Sequence, residues 1–393
     1  MLLIYTYDHV VINPNISIFS DQGQMNGMPD ISFSDHNLLP IRDKILHGQR
    51  LDYADGCTLF HSTDLIGKAR LADYIRRKRH GKTAYFVYNQ HINYTNICKN
   101  HCLFCAFSRE KEEQGAFTLS IEDVKAQLDQ RAREPIREIH MVGGLNASLP
   151  FDYYIRLIET VKERRPDAAV KAFTAVEIDY FSEISGLSVS EVIVQLKQAG
   201  LSMMPGGGAE VLNQRVRQQL FPRKIGKERW LEIVKTVHEN GLTSNATMLY
   251  GHIETIGERV DHLISLRNLQ DETGGFSAFI PLAFHSENTK LSHLPRTTAF
   301  DDLTTIAVAR LMLDNFDHIK GYWVMIGEPL AQLSLSFGAD DLDGTIIEEK
   351  ITHMAGARTA KGLSRDQMVN LIQSAGFEPV ERDSFYHPIE NVS

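Results

Sequence analysis

Cys98, Cys102 and Cys105 fall within the run Cys98-Lys99-Asn100-His101-Cys102-Leu103-Phe104-Cys105, a C-x3-C-x2-C loop holding three of the chain's four cysteines. A fold that carries this loop must hold three thiols at one point, so the loop has to sit on a rigid frame. A 4Fe-4S cube normally takes one thiolate per iron. Three ligands on one loop therefore point to an iron-sulfur cluster with one corner open to a group that is not protein. The competing interpretation is zinc, with His101 or a distant residue as a further ligand. Structural zinc prefers two Cys or His pairs that close a tetrahedron, and the sequence holds no second pair. Cys57, the remaining cysteine, reads as a small buried apolar side chain.

With 393 residues, 43% hydrophobic and 23% charged, the chain can bury the core of one large domain or two ordinary ones. A net charge of -9 argues against a general nucleic-acid footprint, and the short basic run Arg76-Arg77-Lys78-Arg79 reads as a solvated helix end. No run approaches the roughly 18 apolar residues of a membrane span. The start, Met1-Leu2-Leu3-Ile4-Tyr5-Thr6-Tyr7-Asp8, lacks a basic region before its short apolar run. Few, clustered cysteines fit a reducing compartment, so a cytoplasmic protein is expected.

Residues 1 to about 35 are rich in Asn, Ser, Asp and Gly without a period, and read as a loosely structured arm. From His36 to Arg79 apolar residues recur at helical spacing, as at Leu65, Ala69, Leu71, Ala72 and Ile75, until Gly81 stops the run. Residues 1–82 are thus expected to form an arm and a helical cap. From Thr83, short apolar or β-branched runs alternate with amphipathic stretches, the pattern of β/α units on a parallel sheet. Strands are expected near 84–88, 137–142, 169–173, 201–204, 243–249, 276–281, 318–324 and 337–340. Helices are expected near 120–133, 151–164, 188–199, 227–240, 257–272 and 300–314. Their count predicts an α/β fold over 83–345, a (β/α)8 TIM-type barrel or a slightly open relative. Residues 346–393 are expected to pack on it as a C-terminal helical extension, with a helix from Leu363 to Ala375.

In this frame the unusual residues follow the strands. The cysteine loop follows the first, Gly143-Gly144 the second and Thr174 to Glu177 the third; Pro205 to Glu210, Tyr250-Gly251-His252 and Phe284-His285 follow the next three. Barrel active sites gather at that end, so one mouth would collect them all. Phe104 offers a ring to a purine beside the cluster, or packs the loop. Gly143 and Gly144 open a strand edge to a ligand or make a plain tight turn. Gly206 to Gly208 would cradle a ligand through main-chain N–H groups; the spacing of a dinucleotide G-x-G-x-x-G is absent. Of sixteen histidines, His252 and His285 are the acid-base candidates by strand-end position, ahead of His293 and His353, and Glu210 joins them. Asp340-Asp341-Leu342-Asp343-Gly344-Thr345 lacks the length and terminal Glu of an EF-hand. It reads as a turn at the mouth with one acidic group, Asp343, facing inward.

The cysteine spacing with an aromatic before its last cysteine resembles the radical S-adenosylmethionine (SAM) superfamily. The resemblance implies that Cys98, Cys102 and Cys105 ligate a 4Fe-4S cluster and that SAM occupies the open iron through its amino and carboxylate groups. One electron from the cluster then cleaves SAM to a 5′-deoxyadenosyl radical. By position, Phe104 touches the adenine, Gly143 and Gly144 meet the methionyl amino group, and Thr174 and Glu177 join the cofactor-binding set. Leu145 stands where many members carry Glu, which leaves backbone carbonyls as acceptors for that amino group. Longer runs narrow the match: His91-Ile92-Asn93, Thr95-Asn96-Ile97-Cys98, Pro205 to Glu210, Ser244 to Thr255, Phe279 to His285 and Phe337 to Thr345. Over about residues 40 to 385 they look like the group holding aminofutalosine synthase, dehypoxanthine futalosine cyclase and the deazaflavin-forming FO synthase subunits. Asn245, the Tyr250-Gly251-His252 run and the run Asp271 to Phe276 look most like the aminofutalosine synthase family of menaquinone biosynthesis.

That resemblance implies a transferase forming a C–C bond: the adenosyl radical adds to 3-[(1-carboxyvinyl)oxy]benzoate, with rearrangement and decarboxylation, giving aminodeoxyfutalosine and methionine. SAM is a co-substrate, and a donor such as flavodoxin or ferredoxin supplies the electron. The two carboxylates of such an aromatic substrate call for Arg or Lys and neutral donors. Asn245, Arg296 and Asp343 are the substrate-binding candidates, with Arg259 and Arg358 as further cations. Neither nucleic acid nor a membrane is an expected partner. The cyclase or FO synthase reaction stays open as the alternative, as does, in another class, a zinc-binding scaffold.

Overall fold

In the computed structural model, which describes residues 32–389, the described strands are β1 (Thr83–Val87), β2 (Asn89–Ile92), β3 (Glu138–Met141), β4 (Ala169–Ala172) and β5 (Leu201–Met204). They continue as β6 (Thr243–Tyr250), β7 (Phe276–Ala283), β8 (His318–Ile319), β9 (Asp341–Gly344) and β10 (Glu378–Arg382). β2 to β8 pair in chain order, all parallel, as one curled sheet. This is a partial TIM-type barrel. β2 and β8 do not pair with each other; single bridges span their gap, Lys320 with Asp341 on one side and Gln90 with Ile347 on the other.

Several strand expectations need correction. The strand expected near 84–88 is β1, but it is not the first strand of the barrel: β2 follows directly, and the chain changes sheets at Tyr88, whose carbonyl accepts from Arg137 N at 2.8 Å. β1 lies between β10 and β9 in a separate three-stranded sheet, so β2 begins the barrel. The strand expected over 318–324 ends at Ile319, and Trp323–Ile326 is helical. That expected near 337–340 is preceded by the 3-10 turn Leu335–Phe337 and begins only at Asp341. Asp341–Gly344 is consequently a strand and not the turn read from its acidic residues. The arm expected before about residue 35 lies largely outside the described residues.

The helices start where their caps dictate. Ser120, Thr174, Ser188, Thr255, Thr298 and Ser364 each accept from the third helical N–H, whose side chain bonds back to the cap. Each such cap stabilises its helix by about 1 kcal/mol. In Phe151–Arg164 the buried Tyr154, Leu157, Ile158 and Val161 form one stripe at helical spacing. The N-terminal helix Leu65–His80 docks through Ala69 on Leu303 and Phe337. At the other end, helix Arg365–Ser374 buries Met368 and Ile372 against the cluster of Phe86, Trp323 and Leu335. No described helix is long and apolar enough to cross a membrane.

Arg310 and Asp340 form a wholly buried ion pair, and Asp340 also accepts from Ile319 N at 2.8 Å. Asp340→Ala strands the guanidinium, for an expected loss of about 3–5 kcal/mol. Urea unfolding of the apoprotein measures it, and a change below about 1 kcal/mol would mean that water reaches the pair.

Candidate active site at the barrel mouth

A cavity of about 340 Å³ lies inside the curl of the sheet, and all three cysteines of the loop line it. The loop is pinned by backbone bonds on several sides. Cys98 N donates to Arg109 O at 3.1 Å, Lys99 N to Leu145 O at 3.0 Å, and Leu103 N to Leu220 O at 2.9 Å. Cys105 N closes a turn on Cys102 O at 3.0 Å. Burial pushes the Cys102 thiol up to about 12 and raises Cys105 as well. The three sulfurs do not all lie within 4.8 Å of one another. Thiolates sharing one zinc at about 2.3 Å would sit under about 4 Å apart, whereas a cube of several irons holds its ligands further apart. The donor set therefore fits a cluster better than a single zinc ion.

Phe104, Gly143, Gly144, Thr174 and Glu177 also line the cavity. Phe104 meets Phe221 edge-on, with ring centroids 5.8 Å apart. The glycines have a packing reason of their own. A Cβ on Gly143 would meet the Tyr94 ring at 2.6 Å, and one on Gly144 would meet Ile97 O at 2.3 Å. Glu177 is occupied by its surroundings: it accepts from Thr174 N at 2.7 Å, from Gly143 N at 3.3 Å and from the Tyr94 hydroxyl. Its carboxyl is raised, burial outweighing those donors. Its visible work is to tie the starts of two strand-end loops together. Gly206 is likewise required by packing, since a Cβ there would lie 2.5 Å from Asn245 O.

Glu210 lines the cavity next to the thiols, but its carboxylate is paired with Lys224. Burial works against the Lys224 ammonium, yet Glu210 and Cys102 outweigh it and hold the lysine above its usual range. His285 faces the cavity with Nε2 bonded to Met325 O at 2.8 Å and Nδ1 without a partner among the described residues. Asn245 lines it too, buried and with no side-chain hydrogen bond within the described residues. Asp343 reaches the wall from β9 and pairs with Lys320 at 3.1 Å.

Other candidates stand elsewhere. His252 is wholly buried against Glu254, 2.8 Å away, and is not part of the cavity wall. Arg296 lines a neighbouring cleft and pairs with Glu287 at 2.8 Å. Arg259 is held by Glu254 at 2.7 Å, and Arg358 is exposed. The cations on the cavity wall are instead Lys224 and Lys171, with His91 and His140 beside the latter. Lys171 was missed because it sits inside the run Ala169-Val170-Lys171-Ala172 that marks β4. A strand of a covered parallel sheet normally reads as a continuous apolar run, so a lysine within one was the available signal.

Residues 92–266 match the radical SAM superfamily, and residues 273–393 match the CofH/MqnC C-terminal region. With three cysteines at the mouth of a partial barrel, the protein is a radical SAM enzyme. Aminodeoxyfutalosine synthase of Thermus thermophilus is 47% identical over 359 residues, covering 90% of this chain and 96% of that one. The Streptomyces coelicolor protein of the same name is 41% identical, over 88% and 92% of the two chains. The chain belongs to the radical SAM family that contains these aminodeoxyfutalosine synthases. Methylornithine synthase PylB shares the fold, with a TM-score of 0.67 at 16% identity across 86% of this chain and 97% of its own. As a radical SAM enzyme, the protein uses a 4Fe-4S cluster and SAM.

Proposed function

We propose that the protein is an aminodeoxyfutalosine synthase, joining the 5′-deoxyadenosyl group of SAM to the enol-ether methylene of 3-[(1-carboxyvinyl)oxy]benzoate. The carbon skeleton then rearranges, one carboxylate leaves as CO2 or bicarbonate, and the electron is returned, so the donor, a flavodoxin or ferredoxin, is not consumed stoichiometrically. Cys98, Cys102 and Cys105 hold the cluster, and the reaction takes place in the cytoplasm.

The observation that carries this proposal is the continuous cavity running from the cysteines to the strands of the barrel. When bound, the cluster and SAM supply reductive cleavage of the sulfonium and an adenosyl group for transfer to carbon. The chain's own contribution is placement. Phe107, Leu249, Ile280 and Leu282 give the cavity an apolar wall against an arene and keep water out. Phe104 and the backbone at Gly143 and Gly144 hold the nucleoside and methionyl parts. Asn245 and His285 keep unpaired polar atoms toward the substrate, and no histidine is required to shuttle a proton. Holding two reactants in register replaces a bimolecular encounter by an intramolecular one, the largest help a protein can give such a reaction.

Mass spectrometry of products from reconstituted enzyme, SAM, reductant and the enol ether tests this. The expected product carries the adenosyl group on the substrate carbon. Free 5′-deoxyadenosine without an adenosylated product would select hydrogen abstraction, as in the cyclase, and a colourless protein containing zinc would remove radical chemistry altogether.

A further inference from the structure

His91, His140 and Lys171 stand side by side in one layer of the barrel, because β2 pairs His91 with His140 and β3 pairs His140 with Lys171. All three line the cavity. We propose that this row is the recognition site for a substrate carboxylate, the one on the arene, lying deeper than the reacting carbon. The assignment rests on the substrate class proposed above and supplies the cation that none of the arginines provides.

The row presents donors with spare capacity. His91 is 7% exposed and its Nε2 has no partner among the described residues. The His140 imidazole makes no side-chain hydrogen bond with them and stacks on His91, with centroids 4.4 Å apart. Lys171, 2% exposed, has one oxygen partner, Glu138 at 2.6 Å, so two of its three N–H donors remain. Lys171, Lys320 and Arg382 hold the Glu138 carboxyl low against its burial, while burial pulls the Lys171 ammonium below its usual range and Glu138, 2.6 Å away, opposes that. The other acids on this part of the wall are engaged. Asp343 is paired with Lys320 at 3.1 Å, and Glu349 accepts from Thr352 N at 2.8 Å and contacts His353 Nδ1 at 2.9 Å. An incoming carboxylate therefore meets donors without a competing free acid.

Depth supports the arene carboxylate over the cofactor's. His140 precedes Gly143 by three residues and Lys171 precedes Thr174 by three, so the row lies about 10 Å further into the barrel than the strand-end loops. That is on the scale of an aromatic ring with its substituents. A carboxylate held there points the opposite end of the molecule back toward the cysteines.

Calorimetric titration of the reconstituted, SAM-loaded protein with 3-hydroxybenzoate and with 3-hydroxybenzamide tests the assignment. The acid is expected to bind at least about ten-fold more tightly than the amide. His140→Leu is expected to remove most of that preference and His140→Gln to keep part of it, with iron content as the check on folding. Equal binding of acid and amide by the unmodified protein overturns the proposal whatever the variants do, as does failure of the acid to bind. A His140→Leu protein that weakens SAM and leaves the acid unaffected assigns the row to the cofactor and also overturns it. Product analysis stays separate: no adduct from the enol ether, with a row-dependent acid preference intact, would sink the functional proposal and leave this one standing.

Discussion

Each of the variants Cys98→Ala, Cys102→Ala and Cys105→Ala is expected to lower adduct formation at least about a thousand-fold, equivalent to about 4 kcal/mol of transition-state stabilisation. Iron and sulfide content should fall with it. A three-thiolate cluster has no protein ligand in reserve: Cys57 lies in the helix Tyr53–His61, away from the cavity wall, and His101 turns toward Glu110, its Nε2 at 2.9 Å. The fold itself should survive, because backbone bonds at Cys98, Lys99, Leu103 and Cys105 hold the loop and none of them uses a sulfur. Loss of activity with an unchanged thermal midpoint thus separates cluster ligation from a packing role. Cys57→Ala serves as the matched control and is expected to keep both iron and activity. A Cys102→Ala enzyme that retains its iron and forms adduct at the normal rate would remove the basis of the proposed chemistry.

What could be seen beforehand follows from where the physics is local. The cysteine loop and the alternation of short apolar runs with amphipathic stretches from Thr83 are short-range patterns, and the fold class came with them. The change of sheets at Tyr88 was not visible, because only distant partners, β10 and β9 for Thr83–Val87 and β3 for Asn89–Ile92, decide which sheet each strand joins. The gap between β2 and β8 is spanned by a segment more than 240 residues from the start of the barrel, and no periodicity within that segment reveals it. The site divides the same way. Residues placed just after strand ends were identified by that position, and most of them do line one cavity. His140 and Lys171 lie inside strands, where an inward side chain differs from an outward one only through register. His252 follows a strand end and Arg296 stood out by its charge, but they face other partners, Glu254 and Glu287, which sequence spacing alone could not assign.

Gly144→Ala is the variant that tests how the barrel and the loop fit together, and it is expected to lower both iron content and activity although position 144 carries no ligand atom. A Cβ there would lie 2.3 Å from Ile97 O, 2.8 Å from Ile97 C and 2.9 Å from Cys98 Cβ. The first two contacts are backbone, so no rotamer change relieves them, and the loop itself must move. Gly144 N also donates to Thr95 O at 2.9 Å, which fixes the approach from the other side. Overpacking of this kind costs about 1–3 kcal/mol, a modest loss for the fold. Its effect on chemistry is expected to be larger, because a displacement near 1 Å in a positioned reactant costs about a hundred-fold in rate. Gly207→Ala provides the contrast: its Cβ would meet only the Thr174 Cγ2 methyl, at 3.1 Å, a side chain that can yield by a few tenths of an ångström. Iron content after reconstitution, measured beside the thermal midpoint, should fall several-fold in Gly144→Ala and hold in Gly207→Ala. Full iron loading with an unimpaired rate in Gly144→Ala would show that the loop does not rest on the end of β3 as described, and the positions assigned to Phe104, Gly143 and the cysteines would fall together.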